Sequence, residues 1–366
     1  MAYAMASWRR RNCWRFAPLP LALLLVDCCF SVHAATICVQ AGDNVGLQNA
    51  LDTAATNGED DLIELQAGLF PMSGNFLLHY NPANVSTDLT IEGGYGADAG
   101  GPCALHPSSP NASATVLDGG LLYLHMGQFG STGSLTLRGL TITNTFSSSL
   151  TIPPVLIGGG AGPTDSVTIE NVWFSGNVST GNTAIELTTG LGPLSIHDSL
   201  FTSNGSFAWG PIEVIGTQQT SQRCVEVINS TFTDNAGDPM VISADCPTII
   251  ANDIFWGNGG TSDIAFAYPQ DAVIGNSDFG HLSDTTGTSA SNLLSVDPMF
   301  RNGELYYTLS DFSPLREAGD PGGFLFALGD YDVIGNPRIN GARPDIGAYE
   351  TWDVIFAHNF DFQPPF

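Results

Sequence analysis

The residues best suited to chemistry in this sequence are a few carboxylates, one histidine and some aromatics. Asp234, Asp238 and Asp245 fall within one short stretch, and carboxylates on facing positions are what acid–base cleavage of a glycosidic bond requires. His197 precedes Asp198, a pairing in which a carboxylate orients an imidazole acting as base. Each has a plainer reading, since Asp forms turns and a strand histidine is ordinarily solvated. Two loops offer binding chemistry. Phe207 and Trp209 in NGSFAWGP (204–211) suit the apolar face of a sugar ring. Gln218, Gln219 and Arg223 in GTQQTSQRC (216–224) suit its hydroxyls. The alternative is an aromatic folded over the exterior. Proton abstraction beside a uronate carboxyl needs a basic side chain and a group that neutralises the carboxylate. The chain has no lysine, and its arginines among the repeats are Arg138 and Arg223. Calcium on outward carboxylates would supply the neutralisation, but no acidic column stands out. The absence of CxxC or of spaced histidines leaves no metal site, and no cofactor is expected.

The elements that would position these residues begin after a targeting segment. Arg9, Arg10, Arg11 and Arg15 precede an apolar run, Leu19 to Val32, and Val32-His33-Ala34 offers a small-residue cleavage site. This reads as a signal peptide over 1–34, with export; acylation at Cys28 or Cys29 fits badly beside Asp27. No later stretch is long and apolar enough to span a bilayer as a helix. With 36 carboxylates against 10 basic residues the net charge is −26, which repels nucleic acid and anionic membranes. Hydrophobic residues at 43% supply a large core, and 42 glycines supply turns. Four cysteines remain beyond the leader: Cys38, Cys103, Cys224 and Cys246. Three pairings exist; Cys38–Cys103 with Cys224–Cys246 is favoured, because the second pair lies about one repeat apart.

The repeat decides the architecture. VTIENVWFSGN (167–177), LSIHDSLFTSN (194–204), VEVINSTFTDN (225–235) and TIIANDIFWGN (248–258) align without a gap. SLTLRGLTITN (134–144) is an earlier relative that reads as one residue short in its second half. The first and third positions alternate with mostly polar ones, as in a strand. A turn-former follows at Asn171, Asp198, Asn229 and Asn252; then an inward aromatic at Phe174, Phe201, Phe232 and Phe255; then Asn177, Asn204, Asn235 and Asn258. A second apolar run comes next: AIEL (184–187), IEVI (212–215), MVI (240–242) and IAF (264–266). Stacked coils account for all of this, with like strands pairing in parallel about 4.8 Å apart, Phe on Phe inside and Asn on Asn at a corner. The expectation is an all-β, right-handed parallel β-helix over 35–290. A helix-like stretch, LQNALDTAAT (47–56), precedes the first strand, DLIELQAG (61–68), and would cover the open end of the core.

These rungs resemble the pectin-lyase-like group of right-handed parallel β-helix proteins. The run DPMFRNGELYYTLSDFSPLREAGDPGG (297–323), with DVIGNPRINGARPDIGAYE (332–350), is similar to the closing segment of bacterial surface proteins called choice-of-anchor Q domain proteins. NGEDDLIELQAGLF (57–70) is similar to their first coil; Leu315-Arg316 departs from the pattern. The resemblance implies a secreted or cell-surface bacterial setting and no settled activity. Residues 291–350 are therefore expected to cap the C-terminal end, with loops over the last coil. The aromatic stretch within 351–366 reads as a tail, for sorting or packed on the cap. The leading expectation is a non-catalytic exported protein in adhesion, display or contact with an extracellular polysaccharide or surface glycan. The alternative is a polysaccharide lyase or glycoside hydrolase.

Overall fold

The computed structural model describes residues 35–352 except 83–86, 126–132, 159–165, 182, 190–191, 207–209, 217–223, 244–245, 268–271, 283–287, 302–306 and 324–325. The leader (1–34), the tail beyond Trp352, and the candidates Phe207, Trp209, Gln218, Gln219, Arg223 and Asp245 lie outside the described residues. No described helix is long and apolar enough to cross a membrane.

The chain winds as a right-handed parallel β-helix with three long strand stacks. The first sheet starts at Ala35–Val39, which pairs in parallel with Asp61–Gln66, then Leu89–Asp98, and continues to Thr288–Ser291. The second carries Phe174, Phe201, Phe232, Phe255 and Phe279 in one column. The third aligns Leu122, Val155, Ile185, Ile212, Met240 and Ile264. Alternation along each strand sends these residues inward, and register stacks them. The phenylalanine rings lie 4.5–5.1 Å apart, centroid to centroid, and nearly parallel.

Two corners explain the Asn columns. The first holds Asn171, Asp198, Asn229, Asn252 and Asn276 with φ between 47° and 60°, a left-handed conformation that Asn and Asp tolerate. The second follows the Phe strand. Asn177, Asn204 and Asn235 each donate Nδ2 to the next Asn Oδ1, at 2.9, 3.1 and 3.1 Å. Each also donates to a backbone carbonyl of the preceding coil, as Asn204 does to Phe174 O at 3.0 Å. The 134–144 segment is not short. Leu135 aligns with Val167 and Ile142 with Phe174, while Thr145 takes the ladder place and bonds Asn177 Oδ1 at 2.7 Å.

The helix Asn44–Asn57 is capped by Asp43, whose Oδ1 accepts from Gly46 N at 2.7 Å, and it ends at Gly58 with φ 74°. Leu47, Ala50, Leu51 and Ala54 pack into the core. It does not precede the first strand, because Ala35–Val39 forms a rung before it. Both favoured disulfides are present: Cys38–Cys103 with Cα atoms 5.8 Å apart, and Cys224–Cys246 with Cα atoms 6.0 Å apart.

The closing segment is loop-rich, as expected, but its described part does not sit over the last coil alone. It runs back along the first corner as a two-legged strap. Asn276 Nδ2 donates to Ala318 O (3.4 Å), Asn252 Nδ2 to Asp320 O (2.9 Å), and Asn171 Nδ2 to Asp332 O (2.7 Å). The return leg places Gly347 N on Asn252 O (2.8 Å) and Ala348 N on Thr231 Oγ1 (2.9 Å). Apolar strap residues cover outward ones of the solenoid: Val333 and Tyr349 against Leu200, Phe326 against Ile249, Ile346 and Leu315 against Ile254. An outward apolar residue on a rung thus acquires a second layer, which is favourable.

Candidate functional site on the third sheet

Most of the candidates that the structure describes are engaged by the scaffold. Asp234 is a left-handed corner residue whose Oδ2 accepts from Tyr307 Oη at 2.8 Å. Asp238 Oδ1 accepts from Thr261 N and Ser262 N, at 2.7 and 2.9 Å, and so shapes the corner of the next coil. His197 does not pair with Asp198. Its Nε2 lies 3.7 Å from Glu226 Oε2, while Asp198 turns into the corner, fully buried, with Oδ1 3.2 Å from Arg338 Nε. Among the described residues no group of three or more His, Cys, Asp or Glu is placed to hold a metal.

The strap motif is likewise structural. Asp332 accepts from four donors, among them Asn336 N (2.7 Å) and Glu350 N (3.0 Å). Asp345 accepts from Glu317 N and Thr351 N, at 2.7 and 2.8 Å. Arg338 donates Nη2 to Gly347 O and neighbours Asp345 O. Burial pushes the Asp198 carboxyl up to about 6 even though Arg338 pulls it down, and burial with Asp345 nearby pushes Glu350 up to about 7.

The outer face of the first sheet carries a charged row, in register: Glu64, Glu92, Arg138, Glu170 and His197. Arg138 Nη2 sits 2.6 Å from Glu170 Oε2 and its Nη1 4.0 Å from Glu92 Oε1. Tyr95 Oη donates to Glu92 Oε2 at 2.9 Å. The guanidinium is thus spoken for by two carboxylates, which removes it as a ready receptor for a uronate.

The outer face of the third sheet is different. One row aligns His79, Tyr123, Leu156, Glu186, Glu213 and Val241. The adjacent row aligns His125, Gly158, Thr188, Ile215 and Ser243. Direct register partners on parallel strands lie about 4.8 Å apart, so Glu186 and Glu213 are side by side. Burial pushes both carboxyls above the usual range, and Glu213 adds to the rise at Glu186. Ser243 Oγ donates to Glu213 Oε1 at 3.4 Å. Tyr123 Oη and Thr188 Oγ1 are shut off from solvent and have no hydrogen-bond partner among the described residues. Burial and Glu186 push the Tyr123 hydroxyl up, and burial with His79 nearby pushes His125 down. Gly158 makes room: a Cβ there would stand 1.9 Å from Thr188 Oγ1 and 3.6 Å from His125 Cδ2.

Sequence reasoning missed this face. Both glutamates lie inside AIEL and IEVI as the polar half of an alternation, and His79 and His125 read as scattered. The available signal was that the two runs carry Glu at the same strand position.

No protein-family model matches the chain, and no curated protein does. Among solved structures, that of the pectate lyase Pel9A is similar over 87% of this chain and 97% of that one, at 12% identity and a TM-score of 0.39. A likeness at that score carries no functional argument; the parallel β-helix follows from the register of the strands themselves.

Proposed function

We propose that this is an exported protein of the cell exterior that holds carbohydrate against the outer face of its third sheet, in adhesion or display rather than turnover. The observation that carries the reading is the half-buried, outward pair Glu186 and Glu213, in register on neighbouring coils. Carboxylates accept from sugar hydroxyls, and no described basic side chain pairs with either. The leader-like N-terminus and the resemblance of 297–350 to the closing segment of choice-of-anchor Q domain proteins support the exterior setting. The scaffold roles of His197, Asp234 and Asp238 support the non-catalytic reading.

A second reading is favoured by one specific feature. Glu186 and Glu213 are a carboxyl pair, and glycoside cleavage uses two carboxyls about 5–9.5 Å apart. A panel of purified polysaccharides separates the readings, with retention, new reducing ends and the ultraviolet absorbance of elimination products followed with and without calcium. The expected result is retention of at least one polysaccharide with no products. New reducing ends that vanish in Glu186→Gln would replace binding with hydrolysis. No retention of any polysaccharide would overturn the glycan reading.

A further inference from the structure

The two ends of the solenoid are finished differently. At the first, the helix Asn44–Asn57 lays Leu47, Ala50, Leu51 and Ala54 over the core. At the other, the described part of the closing segment stays on the outside. Ala318 O meets the last corner through Asn276 Nδ2 (3.4 Å), and Phe300 packs with Trp256 on the outer face of the second sheet. Core residues are therefore laid open. Ala290 continues the inward column of Ile250 and Ile274, which are fully buried, yet it is exposed. Phe266, Leu282 and Leu293 adjoin the core only half-buried. Phe279, Leu282, Leu293 and Leu294 line a depression of about 440 Å³.

The backbone is open as well. Thr288–Ser291 pairs with Ala272–Gly275 on one side, and no described strand lies on the other. Ser291 O accepts from Asn276 N at 3.1 Å, so Ser291 faces the ladder and the Ala290 N–H, one residue back, faces outward. Terminal repeats of a solenoid need a cover, and a bare strand edge is a template for pairing with another chain.

The chain carries a segment that fits. Val354, Phe356, His358, Phe360 and Phe362 occupy one row of alternate positions, while Asn359, Asp361 and Gln363 fall in the other, before Pro364-Pro365. That is the period of a strand with one apolar face, closed by residues that cannot extend a ladder. Its point of departure also fits. Thr351 N bonds Asp345 Oδ2 (2.8 Å), Asp345 Oδ1 accepts from Glu317 N (2.7 Å), and the next residue, Ala318, meets Asn276. Asn276 stands at the corner where the Thr288–Ser291 edge ends. A segment tethered there has an effective concentration of about millimolar, which favours it over a second copy. Entering at that corner, it would run from Ser291 towards Thr288, antiparallel to the edge.

We propose that residues 354–362 cover this open end within their own chain, adding an antiparallel strand to Thr288–Ser291 and seating Phe356, Phe360 and Phe362 against Leu282 and Leu293. So placed, the tail blocks end-to-end pairing of copies. The inference is independent of the carbohydrate reading.

Hydrogen exchange of the full chain, read at single residues by mass spectrometry, tests this at the Ala290 amide. Exchange is expected to be at least about tenfold slower than in the variant Phe356→Ser/Phe360→Ser/Phe362→Ser. Sedimentation is expected to show association with rising concentration in that variant alone. Phe312→Ser, which removes an aromatic 84% exposed elsewhere in the closing segment, should change neither. An unprotected Ala290 in the full chain, or protection that survives the triple substitution, would overturn the proposal. Protection that grows with protein concentration would assign the edge to a second copy and overturn it equally. Thermal unfolding verifies the fold of each variant. If the triple variant fails to fold, a cysteine trap decides, with Ala290→Cys combined in turn with Phe356→Cys, Phe360→Cys or Phe362→Cys. A disulfide within one chain is expected in at least one of these; bridges only between chains, or none, would refute the cover.

Discussion

Replacing Arg338 with Met should destabilise the protein more at pH 8 than at pH 5, and the structure gives the size of both terms. Arg338 is 1% exposed and faces the fully buried Asp198, with donated contacts to the carbonyls of Gly347 and Asp345. Met keeps the apolar stem but leaves those carbonyls without a donor, which costs about 1–3 kcal/mol at any pH. Asp198 sets the remainder. Its folded carboxyl titrates at about 6, above its ordinary value of 3.8, so wild-type stability falls as pH rises through that interval and levels off above it. Without Arg338 the carboxyl stays neutral to higher pH, and the fall continues by about 1.36 kcal/mol per unit. At pH 8, two units above the wild-type value, this adds about 3 kcal/mol, for a total of about 4–6 kcal/mol, close to the size expected when one member of a buried ion pair is removed. Urea unfolding followed by circular dichroism at both pH values measures the difference. Adding Asp198→Asn to the Met variant should recover about 2 kcal/mol or more at pH 8 and little at pH 5. Equal losses at the two pH values, or no recovery, would refute the account of the clamp.

Glu350, pushed from 4.5 up to about 7, should make wild-type stability decline as pH rises from about 4.5 to about 7 and level off above that; Glu350→Gln is expected to lower the curve and flatten it over that interval in the same unfolding assay. Asn204→Ala removes Nδ2 bonds to Phe174 O and Asn235 Oδ1 and an acceptor for Asn177, so a loss of about 3 kcal/mol or more is predicted, read as a lower urea midpoint at unchanged slope. Serine at Cys38 and Cys103, whose sequence separation is 65, should cost about 4 kcal/mol and the 224/246 pair, separated by 22, about 3 kcal/mol. Unfolding of the two double variants under non-reducing conditions checks that order.

The repeated core was legible because each inward position is filled by one residue type per coil. Phe174, Phe201, Phe232 and Phe255 announce their column by spacing alone, and the structure adds Phe279. That coil, AVIGNSDFGHL (272–282), escaped notice because Asp278 stands where Ile254 does and Leu282 where Asn258 does. The turn-formers were legible as turns but not as docking points: Asn171 and Asp332, or Asp198 and Arg338, are linked by contacts across more than a hundred residues. The third-sheet pair was hidden for another reason. Glu186 and Glu213 become neighbours through register; AIEL and IEVI carry Glu at the same strand position, but within each run that Glu reads as the ordinary solvent-facing half of a strand alternation.

The strap has a consequence for how such a protein can change size. A bare solenoid tolerates gain or loss of a coil, because each repeat contacts only its neighbours. Here the same strap touches Asn171, Asp198, Asn252 and Asn276 at fixed steps along the corner. One coil inserted between the second and third of these would shift the later contacts by about 4.8 Å, too far for any of the hydrogen bonds to follow. The strap therefore works as a ruler: coils can be added beyond its reach, but within its span the number of turns is frozen unless strap and solenoid lengthen together.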